Sequence, residues 1–262
     1  MIGFIGGGNM AEAMIKGIRQ SGKKDIITSE PRAERRAYLE KTYDIKTTSD
    51  NREIAKNCNI IILAVKPQNM DDVTGEIGDY ISDDKIVVSI AAGITLSYLS
   101  SRLKTSKIIR VMPNTPALVQ EGMSVLSMCE CIHDKEMGLV RDIFMSIGKV
   151  MVLPEKYMDA VTALSGSGPA FIALFAEKMI VSGIQAGLTR FNASELVIQT
   201  LIGTAKLLES GIPPDKLREM VTSPGGTTAA GLKIFEEKGF SDIINAVIEA
   251  AANRSKELGK KE

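Results

Sequence analysis

Residues 2–11 read Ile-Gly-Phe-Ile-Gly-Gly-Gly-Asn-Met-Ala, a short apolar run that leads directly into a glycine-rich turn. The turn matches the G-x-G-x-x-A fingerprint, in which two glycines allow a tight turn and close approach of a pyrophosphate to the backbone. The free N–H groups of the helix that follows suit phosphate oxygens. A glycine-rich turn without a ligand is the alternative. Because the motif follows a strand and opens a helix, it predicts a dinucleotide site formed by Gly6, Gly7, Gly8, Asn9, Met10 and Ala11.

Short apolar runs and amphipathic segments alternate on the C-terminal side of this motif. Strands are predicted at residues 2–5, 26–29, 60–65, 86–90, 108–112 and 123–128, and helices at residues 10–20, 32–41, 69–80 and 135–147. The run at residues 60–65 is apolar at every position, which is typical of a strand buried on both faces. The alternation predicts an α/β fold with a Rossmann-type doubly wound, mostly parallel sheet.

The pattern changes near Pro154, beyond which only helix-period segments occur. These lie at residues 169–187, 193–210, 214–221, 227–236 and 242–258. Their apolar faces are broad and rich in small residues, so they either complete the core of one chain or pack against a second copy. We therefore expect a dinucleotide-binding domain in residues 1–153 and an all-helical domain in residues 154–262.

Composition argues against several classes of partner. The 32 basic and 32 acidic side chains cancel, so no global field attracts nucleic acid or an anionic membrane. The longest uncharged stretch, residues 160–176, contains Ser, Gly and Pro and is too short to span a bilayer. A strand that begins at Ile2 leaves no room for a signal or transit peptide, which favours a cytoplasmic location.

Cysteine and histidine give no sign of a metal site or of a histidine base. Cys58, Cys129 and Cys131 are odd in number and lack C-x-x-C spacing, which argues against a disulfide framework and against zinc. The single histidine, His133, lies in a polar stretch and is interpreted as a solvated turn residue rather than a catalytic base.

The end of the second predicted strand, Thr28-Ser29-Glu30-Pro31-Arg32, bears on which dinucleotide binds. An acidic residue there suits the ribose 2′-hydroxyl of NADH, whereas a hydroxyl and an arginine suit the 2′-phosphate of NADPH. A shift of one residue in strand register would exchange the side chain that faces the ribose. The pattern favours NADPH, with Ser29 and Arg32 as contacts, and leaves NADH possible.

Residues 221–232 read Val-Thr-Ser-Pro-Gly-Gly-Thr-Thr-Ala-Ala-Gly-Leu between two predicted helices. Pro-Gly-Gly predicts a tight turn, after which several backbone N–H groups converge at a helix N-terminus suited to a small carboxylate. Thr227 and Thr228 add hydroxyls at the same place. The alternative is an ordinary turn in which these hydroxyls only cap the helix.

This loop resembles the signature of the pyrroline-5-carboxylate reductase family, and the likeness extends over almost the whole chain. Residues 2–13, 64–67, 89–93, 110–116 and 164–170 resemble the family's G-F-I-G-x-G-x-M-A, A-V-K-P, S-x-A-A-G, R-x-M-P-N-T-P and L-S-G-S-G-P-A segments. The resemblance implies reduction of 1-pyrroline-5-carboxylate to L-proline by hydride transfer from NADPH or NADH, the last step of proline synthesis. Because the cyclic imine is readily protonated, the reaction is consistent with the lack of a histidine base.

The resemblance also implies the site residues and the assembly. Further cofactor contacts are Ser29, Asn51, Ala64, Val65, Lys66, Pro67, Ile90, Ala91 and Ala92. Substrate contacts are Glu155, Ser223, Gly225, Gly226, Thr227 and Thr228, with the loop amides on the carboxylate and the catalytic Thr228 hydroxyl on the ring nitrogen. Residues 154–262 would form a dimerisation and substrate-binding domain in a homodimer or a decamer, with each signature loop meeting the partner's cofactor.

Three alternatives remain open at this point. A β-hydroxyacid dehydrogenase would need a proton-transfer lysine where Phe171 and Ile172 fall, and Lys178 lies too far along. A dinucleotide-sensing protein would share the fold without requiring the Pro-Gly-Gly-Thr-Thr loop. A cyclic imine one carbon larger is the third. Lys66 is either a cofactor contact or a surface lysine at a turn.

Overall fold

The computed structural model describes residues 1–22, 25–129 and 132–259. By internal contacts the chain forms two compact units, one comprising Met1–Ser167 with the residues from Ala250 onward, and the other Gly168–Glu249. The predicted boundary after residue 153 differs from this division. The segment after it stays with the first unit because Met158 and Val161 pack with Val125, and Ser255 Oγ donates to Asp159 Oδ1 at 2.7 Å.

The first unit contains one eight-stranded sheet. Its strands are β1 (Ile2–Ile5), β2 (Ile26–Ser29), β3 (Lys46–Thr48), β4 (Ile60–Leu63), β5 (Ile86–Ser89), β6 (Ile108–Met112), β7 (Gly122–Met128) and β8 (Gly148–Val152). They are ordered β3-β2-β1-β4-β5-β6-β7-β8, and neighbouring strands are parallel except for the antiparallel pair β6 and β7. The order reverses between β1 and β4, which is the switch point where doubly wound sheets bind ligands.

Helices cover the sheet and make up the second unit. In the first unit they are α1 (Asn9–Gln20), α2 (Ala33–Tyr43), α3 (Asn51–Asn57), α4 (Met70–Ile77), α5 (Leu96–Arg102), α6 (Asp134–Met145) and α7 (Met158–Val161). The chain continues with α8 (Gly168–Gln185), α9 (Arg190–Glu209), α10 (Pro214–Met220), α11 (Thr227–Glu237) and α12 (Phe240–Gly259). The predicted fold class, a Rossmann-type sheet followed by helices, is confirmed.

The core consists of two apolar layers, one on each face of the sheet. Phe4 and Ile62 join a cluster with α1 and α6, whereas Ile5 and Ile61 join a cluster with α3, α4 and α5. Successive strand residues point to opposite faces, so an apolar run is buried on both sides. Four elements were not predicted from the sequence, because they are short or partly exposed and carry a weak periodic signal: β3, β8, α3 and α5.

The second unit exposes much of its apolar surface. Ala193 and Val197 are buried, while large apolar side chains on α8 and α9 lie at the surface, among them Ile172, Leu174, Phe175, Phe191, Leu196, Ile198 and Ile202. The helical stretch Glu155–Gln185 is long and apolar enough to cross a membrane by length and composition alone. This is weak evidence for a span, since helices buried in protein have the same composition.

The cysteines differ from one another in state. Cys58 is a free, buried thiol, whereas Cys129 is disulfide-bonded, a bond that was not predicted from the sequence. Cys131 lies outside the described residues. Within the described ranges, no group of three or more His, Cys, Asp or Glu side chains converges as a metal site.

Candidate active site

The glycine turn lies at the carboxyl end of β1, beside β4. Gly6 has φ +101° and donates its N–H to Ser29 O at 2.9 Å. A Cβ on Gly6 would lie 2.6 Å from Ala64 O, so glycine alone fits there. In contrast, no described atom lies within 4 Å of the place a Cβ on Gly8 would take. The backbone of Gly8 therefore borders open space, as the approach of a pyrophosphate requires.

The N-terminus of α1 adds backbone donors to this turn. Gly8 is the N-cap residue, and no described side chain caps the helix. Ala11 is buried in the core, so the helix packs closely on the sheet. An uncapped helix start offers unpaired N–H groups and a partial positive charge, which together fit a phosphate. The residues present thus fit the dinucleotide that the fingerprint predicts.

The side chain of Glu30 is hydrogen-bonded to the backbone of the glycine turn. Its side chain is buried, and Oε2 accepts the N–H of Gly7 at 3.1 Å. Oε1 accepts Arg32 Nε at 2.7 Å and the N–H of Arg32 at 3.1 Å. Burial raises the pKa of Glu30, but the hydrogen bonds from Arg32 and Gly7 outweigh it and hold the pKa below its ordinary value. The carboxylate therefore has structural partners in place of a ribose hydroxyl.

Arg32 is placed by the same contact. Its side chain is 68% exposed, and within the described ranges Glu30 is its side-chain partner. Glu30 engages only Nε, so the two terminal nitrogens of the guanidinium make no hydrogen bond to the described residues. A guanidinium with free N–H groups suits a phosphate. The 2′-phosphate is the group that NADPH has and NADH lacks.

Two further arginines, which the sequence analysis missed, stand beside Arg32. Arg35 Nε donates to Gly7 O at 2.6 Å, and Arg36 Nη1 donates to Glu30 O at 2.7 Å. Glu12 accepts from Arg35 and also from two tyrosine hydroxyls. Burial raises the pKa of Glu12, and the bonds from Tyr43, Arg35 and Tyr38 bring it below the ordinary value. The clustering of basic residues just after β2 was the available signal.

Ser29 and Asn51 lie together at the carboxyl end of β2. Ser29 Oγ donates to Asn51 Oδ1 at 2.6 Å, and Asn51 Nδ2 donates to Glu76 Oε2 at 2.7 Å. The Ser29 side chain is buried, whereas Asn51 is half-buried at the start of α3. The two predicted cofactor contacts therefore form one chain of hydrogen bonds, with Asn51 the more accessible of the pair.

The predicted contacts after β4 and β5 lie at the same edge of the sheet. The Ala64 N–H donates to Ile5 O at 2.8 Å, and the Ile90 N–H donates to Leu63 O at 3.2 Å. Val65, Lys66 and Pro67 follow Ala64, and Ala91 and Ala92 follow Ile90. The Lys66 side chain is exposed, which is compatible with both a cofactor contact and a surface lysine.

Glu155 has partners within the first unit. Its Oε1 accepts the N–H of Leu96 at 2.8 Å and Arg110 Nη1 at 3.1 Å. Arg110 is buried on β6, so this ion pair fastens the segment after β8 to the sheet. The predicted substrate contact at Glu155 therefore also has a structural role, as the partner of a buried arginine.

The signature loop joins α10 to α11 in the second unit. Gly225 has φ +70°, and the N–H of Gly226 donates to Ser223 O at 3.0 Å, which closes a tight turn. Gly226 is the N-cap residue of α11, and no described side chain caps this helix. Within the described residues, the hydroxyls of Thr227 and Thr228 therefore make no cap hydrogen bond to this helix. The first turn of α11 keeps its N–H groups available to an anion.

Comparison with known proteins identifies the family. A family model described as pyrroline-5-carboxylate reductase dimerisation matches residues 155–258, and one described as NADP oxidoreductase coenzyme F420-dependent matches residues 1–93. The chain is 41% identical to the pyrroline-5-carboxylate reductase of Synechocystis, covering 99% of this chain and 98% of the relative. The Pisum sativum enzyme is 42% identical, with 98% and 95% covered. The chain belongs to the pyrroline-5-carboxylate reductase family.

Solved structures of the pyrroline-5-carboxylate reductase family agree with this membership. The Plasmodium falciparum reductase, solved with NADP bound, has a TM-score of 0.89 at 34% identity, with 99% of this chain and 98% of that chain covered. The Coxiella burnetii reductase has a TM-score of 0.92 at 35% identity, with the same coverage. Prephenate dehydrogenase from Aquifex aeolicus, at 14% identity and a TM-score of 0.57, shares the fold alone.

Proposed function

We propose that this protein reduces 1-pyrroline-5-carboxylate to L-proline, with NADPH as the preferred hydride donor and NADH as a possible one. The observation that carries this proposal is the uncapped start of α11, where Thr227 and Thr228 lie directly after the Ser-Pro-Gly-Gly turn. A site for a small carboxylate in a member of a reductase family that binds NADP suits this substrate.

The chemistry asks little of the protein's side chains. The N–H groups at the start of α11, with Ser223, Gly225 and Gly226, bind the substrate carboxylate. Thr228 Oγ1 accepts a hydrogen bond from the protonated ring nitrogen and so orients the C=N bond. When bound, the reduced cofactor would supply the hydride that reduces the C=N bond at C5, and the protonated ring nitrogen would take up the π electrons. The protein contributes orientation and electrostatics, and no general base is needed.

The preference for NADPH rests on the end of β2. The Glu30 side chain is buried and already bonded to Gly7 and Arg32, which disfavours its use as the acceptor for a ribose 2′-hydroxyl. Arg32 is exposed beside it and presents a guanidinium to a 2′-phosphate. NADH would use the same glycine turn without that contact, so we expect weaker but measurable activity with NADH.

We propose that two copies associate through their helical domains. Residues 168–249 bury little of their own apolar surface, and exposed side chains such as Phe191, Leu196 and Ile202 are costly in water. The family model for residues 155–258 is described as a dimerisation domain. Light scattering after size exclusion should give twice the 28.3 kDa chain mass, or ten times that mass if dimers form the expected decamer. A monomer would contradict the proposal.

A cytoplasmic location follows from this assignment of the apolar stretch Glu155–Gln185 to protein contacts. The balanced formal charge gives no general attraction to nucleic acid or to anionic lipid. After cell lysis without detergent, the protein should stay in the supernatant at high centrifugal force. Recovery only with the membrane fraction would contradict this location.

Turnover tests the proposed reaction directly. Purified protein should oxidise NADPH only when 1-pyrroline-5-carboxylate is present, with one proline formed for each NADPH consumed. The cyclic imine one carbon larger, tested in parallel, measures selectivity for ring size. Oxidation that does not depend on either imine, or none at all, would contradict the proposal.

A further inference from the structure

Side chains along β6 and the two residues after it, 113 and 114, face two different neighbours: the sheet's core layer and the segment 155–166. Ile109 and Val111 belong to the core layer under α1 and α6. The alternate positions 110, 112 and 114 face the other way, as the period of two requires. Each of these three contacts the segment 155–166, which follows β8 and belongs to the same compact unit.

The three contacts differ in kind: an ion pair, a close apolar contact and a pair of hydrogen bonds. Arg110 pairs with Glu155 at 3.1 Å, as described above. A Cβ on Gly166 would collide with the methyl group of Met112, so glycine allows the two segments to touch. Asn114 Nδ2 donates to both Ser165 O and Ser165 Oγ, at 3.3 Å each. The end of β6 is thus fastened to one short stretch of the segment.

Asn114 uses both ends of its side chain. While Nδ2 bonds Ser165, Oδ1 accepts the N–H of Met123 at 2.8 Å, at the start of β7. A side-chain amide offers both a donor and an acceptor, whereas a carboxylate lacks the donor and an aliphatic side chain lacks both. Asn114 therefore links β7, β6 and the segment in one half-buried contact.

The stretch that Asn114 holds is an unusual one. Thr162–Gly166 forms a π-helical turn, closed by the N–H of Ser167 on Thr162 O at 2.8 Å. π-Helical turns are rare, and those that do occur are often found at functional sites. At its apex Leu164 is 70% exposed. A backbone shape that is seldom adopted needs support from its surroundings, and the contact with Asn114 supplies it.

The topology places this turn at one end of the dinucleotide. Strands β1, β4, β5 and β6 are parallel, so they all end at the edge where a doubly wound sheet binds ligands. The pyrophosphate belongs at the glycine turn after β1, and the arginines after β2 mark the adenosine side. The nicotinamide half then lies over β4 to β6, where Asn114 and the π-helical turn stand.

We propose that Asn114 is a positioning residue for hydride transfer: it holds the π-helical turn Thr162–Gly166 against the end of β6 and so shapes the nicotinamide end of the site. The inference rests on the proposed reductase function. Misplacement of a wall of the site by a fraction of an ångström would slow the chemical step far more than it weakens cofactor binding.

Asn114→Asp is the sharpest variant, because it keeps the acceptor for Met123 and removes the donor to Ser165. We expect kcat to fall at least tenfold, NADPH affinity to change by less than about twofold, and the kinetic isotope effect with 4,4-dideuterated NADPH to rise. Ser165→Ala keeps the bond to the carbonyl and should show a smaller change in the same direction. Asn57→Asp, on the exposed end of α3, serves as the control.

The outcomes separate the two proposals. No imine-dependent oxidation by the unsubstituted protein overturns the proposed function, whatever Asn114 does. If the unsubstituted protein turns over, an unchanged kcat and isotope effect in folded Asn114→Asp overturns the inference on Asn114 alone. Should Asn114→Asp fail to fold, Ser165→Ala decides the question by the same two readouts. A lower melting temperature with an unchanged isotope effect indicates a purely structural role and also overturns the inference.

Discussion

The buried carboxylate of Glu30 accepts the backbone N–H of Gly7 at 3.1 Å, which ties the end of β2 to the glycine turn after β1. The other oxygen of Glu30 accepts from Arg32. Two side chains that indicate different cofactors in the sequence therefore form one structural pair. The glycine turn is held by Glu30, and the exposed Arg32 is the residue that we propose contacts the 2′-phosphate of NADPH.

Arg32→Ala should weaken NADPH by about tenfold to a hundredfold and NADH by much less. A charge-assisted hydrogen bond to a phosphate contributes roughly 1.5–3 kcal/mol, and NADH lacks that phosphate. Dissociation constants for both cofactors, from fluorescence titration, check this. Arg141→Ala, on the exposed side of α6, is the matched control. Equal losses for both cofactors would show that Arg32 never meets the 2′-phosphate.

Glu30→Gln should destabilise the protein near neutral pH, and the effect should shrink in acid. Because the folded-state pKa of Glu30 is lowered, its stabilisation is complete above the unfolded pKa and is lost as pH falls through the folded pKa. Melting temperatures of variant and parent, measured from pH 7 down to about pH 3.5, should therefore converge. Glu34→Gln, an exposed carboxylate on α2, is the control. A difference that is the same at every pH would contradict this role.

Thr228→Ala should lower kcat by roughly tenfold to a hundredfold while NADPH affinity stays within about twofold. The hydroxyl is proposed to bond the ring nitrogen as the imine is reduced, so its loss acts on the transition state. Steady-state kinetics and cofactor titration separate the two effects. Thr200→Ala, whose hydroxyl bonds Leu196 O within α9, is the matched control. A collapse of NADPH affinity would assign Thr228 to the cofactor instead.

Gly225→Ala should raise the KM for the imine and leave NADPH affinity unchanged. Gly225 has φ +70°, where a side chain costs about 1–2 kcal/mol, so the turn before α11 would shift its amides. Imine titrations at saturating NADPH measure the effect. Gly75→Ala provides the contrast, because Gly75 lies in helix α4 with open space around it and should tolerate a methyl group. An unchanged KM would mean that the turn does not hold the substrate.

The sequence was sufficient to predict those strands and turns that depend only on residues close together in the chain. The alternation of apolar runs predicted six of the eight strands, because a strand buried on both faces needs an unbroken apolar run. Gly6 could be assigned because only glycine permits its φ of +101° so close to Ala64 O, and the backbone at Gly8 borders open space as the motif predicts. Strands β3 and β8 were missed because they lie at the sheet edges, where partly exposed residues carry no clear pattern.

By itself the sequence determined the fold class, the family and the identity of the cofactor turn and the signature loop, because each is encoded by residues close together in the chain. Tertiary structure alone decided which partners the side chains meet. It assigned Glu30 to Gly7, which lies 23 residues away in the chain, and it brought Asn114 to Ser165, which lies 51 residues away. Such contacts depend on strand order and on packing between distant segments, and no local pattern of residue types specifies them.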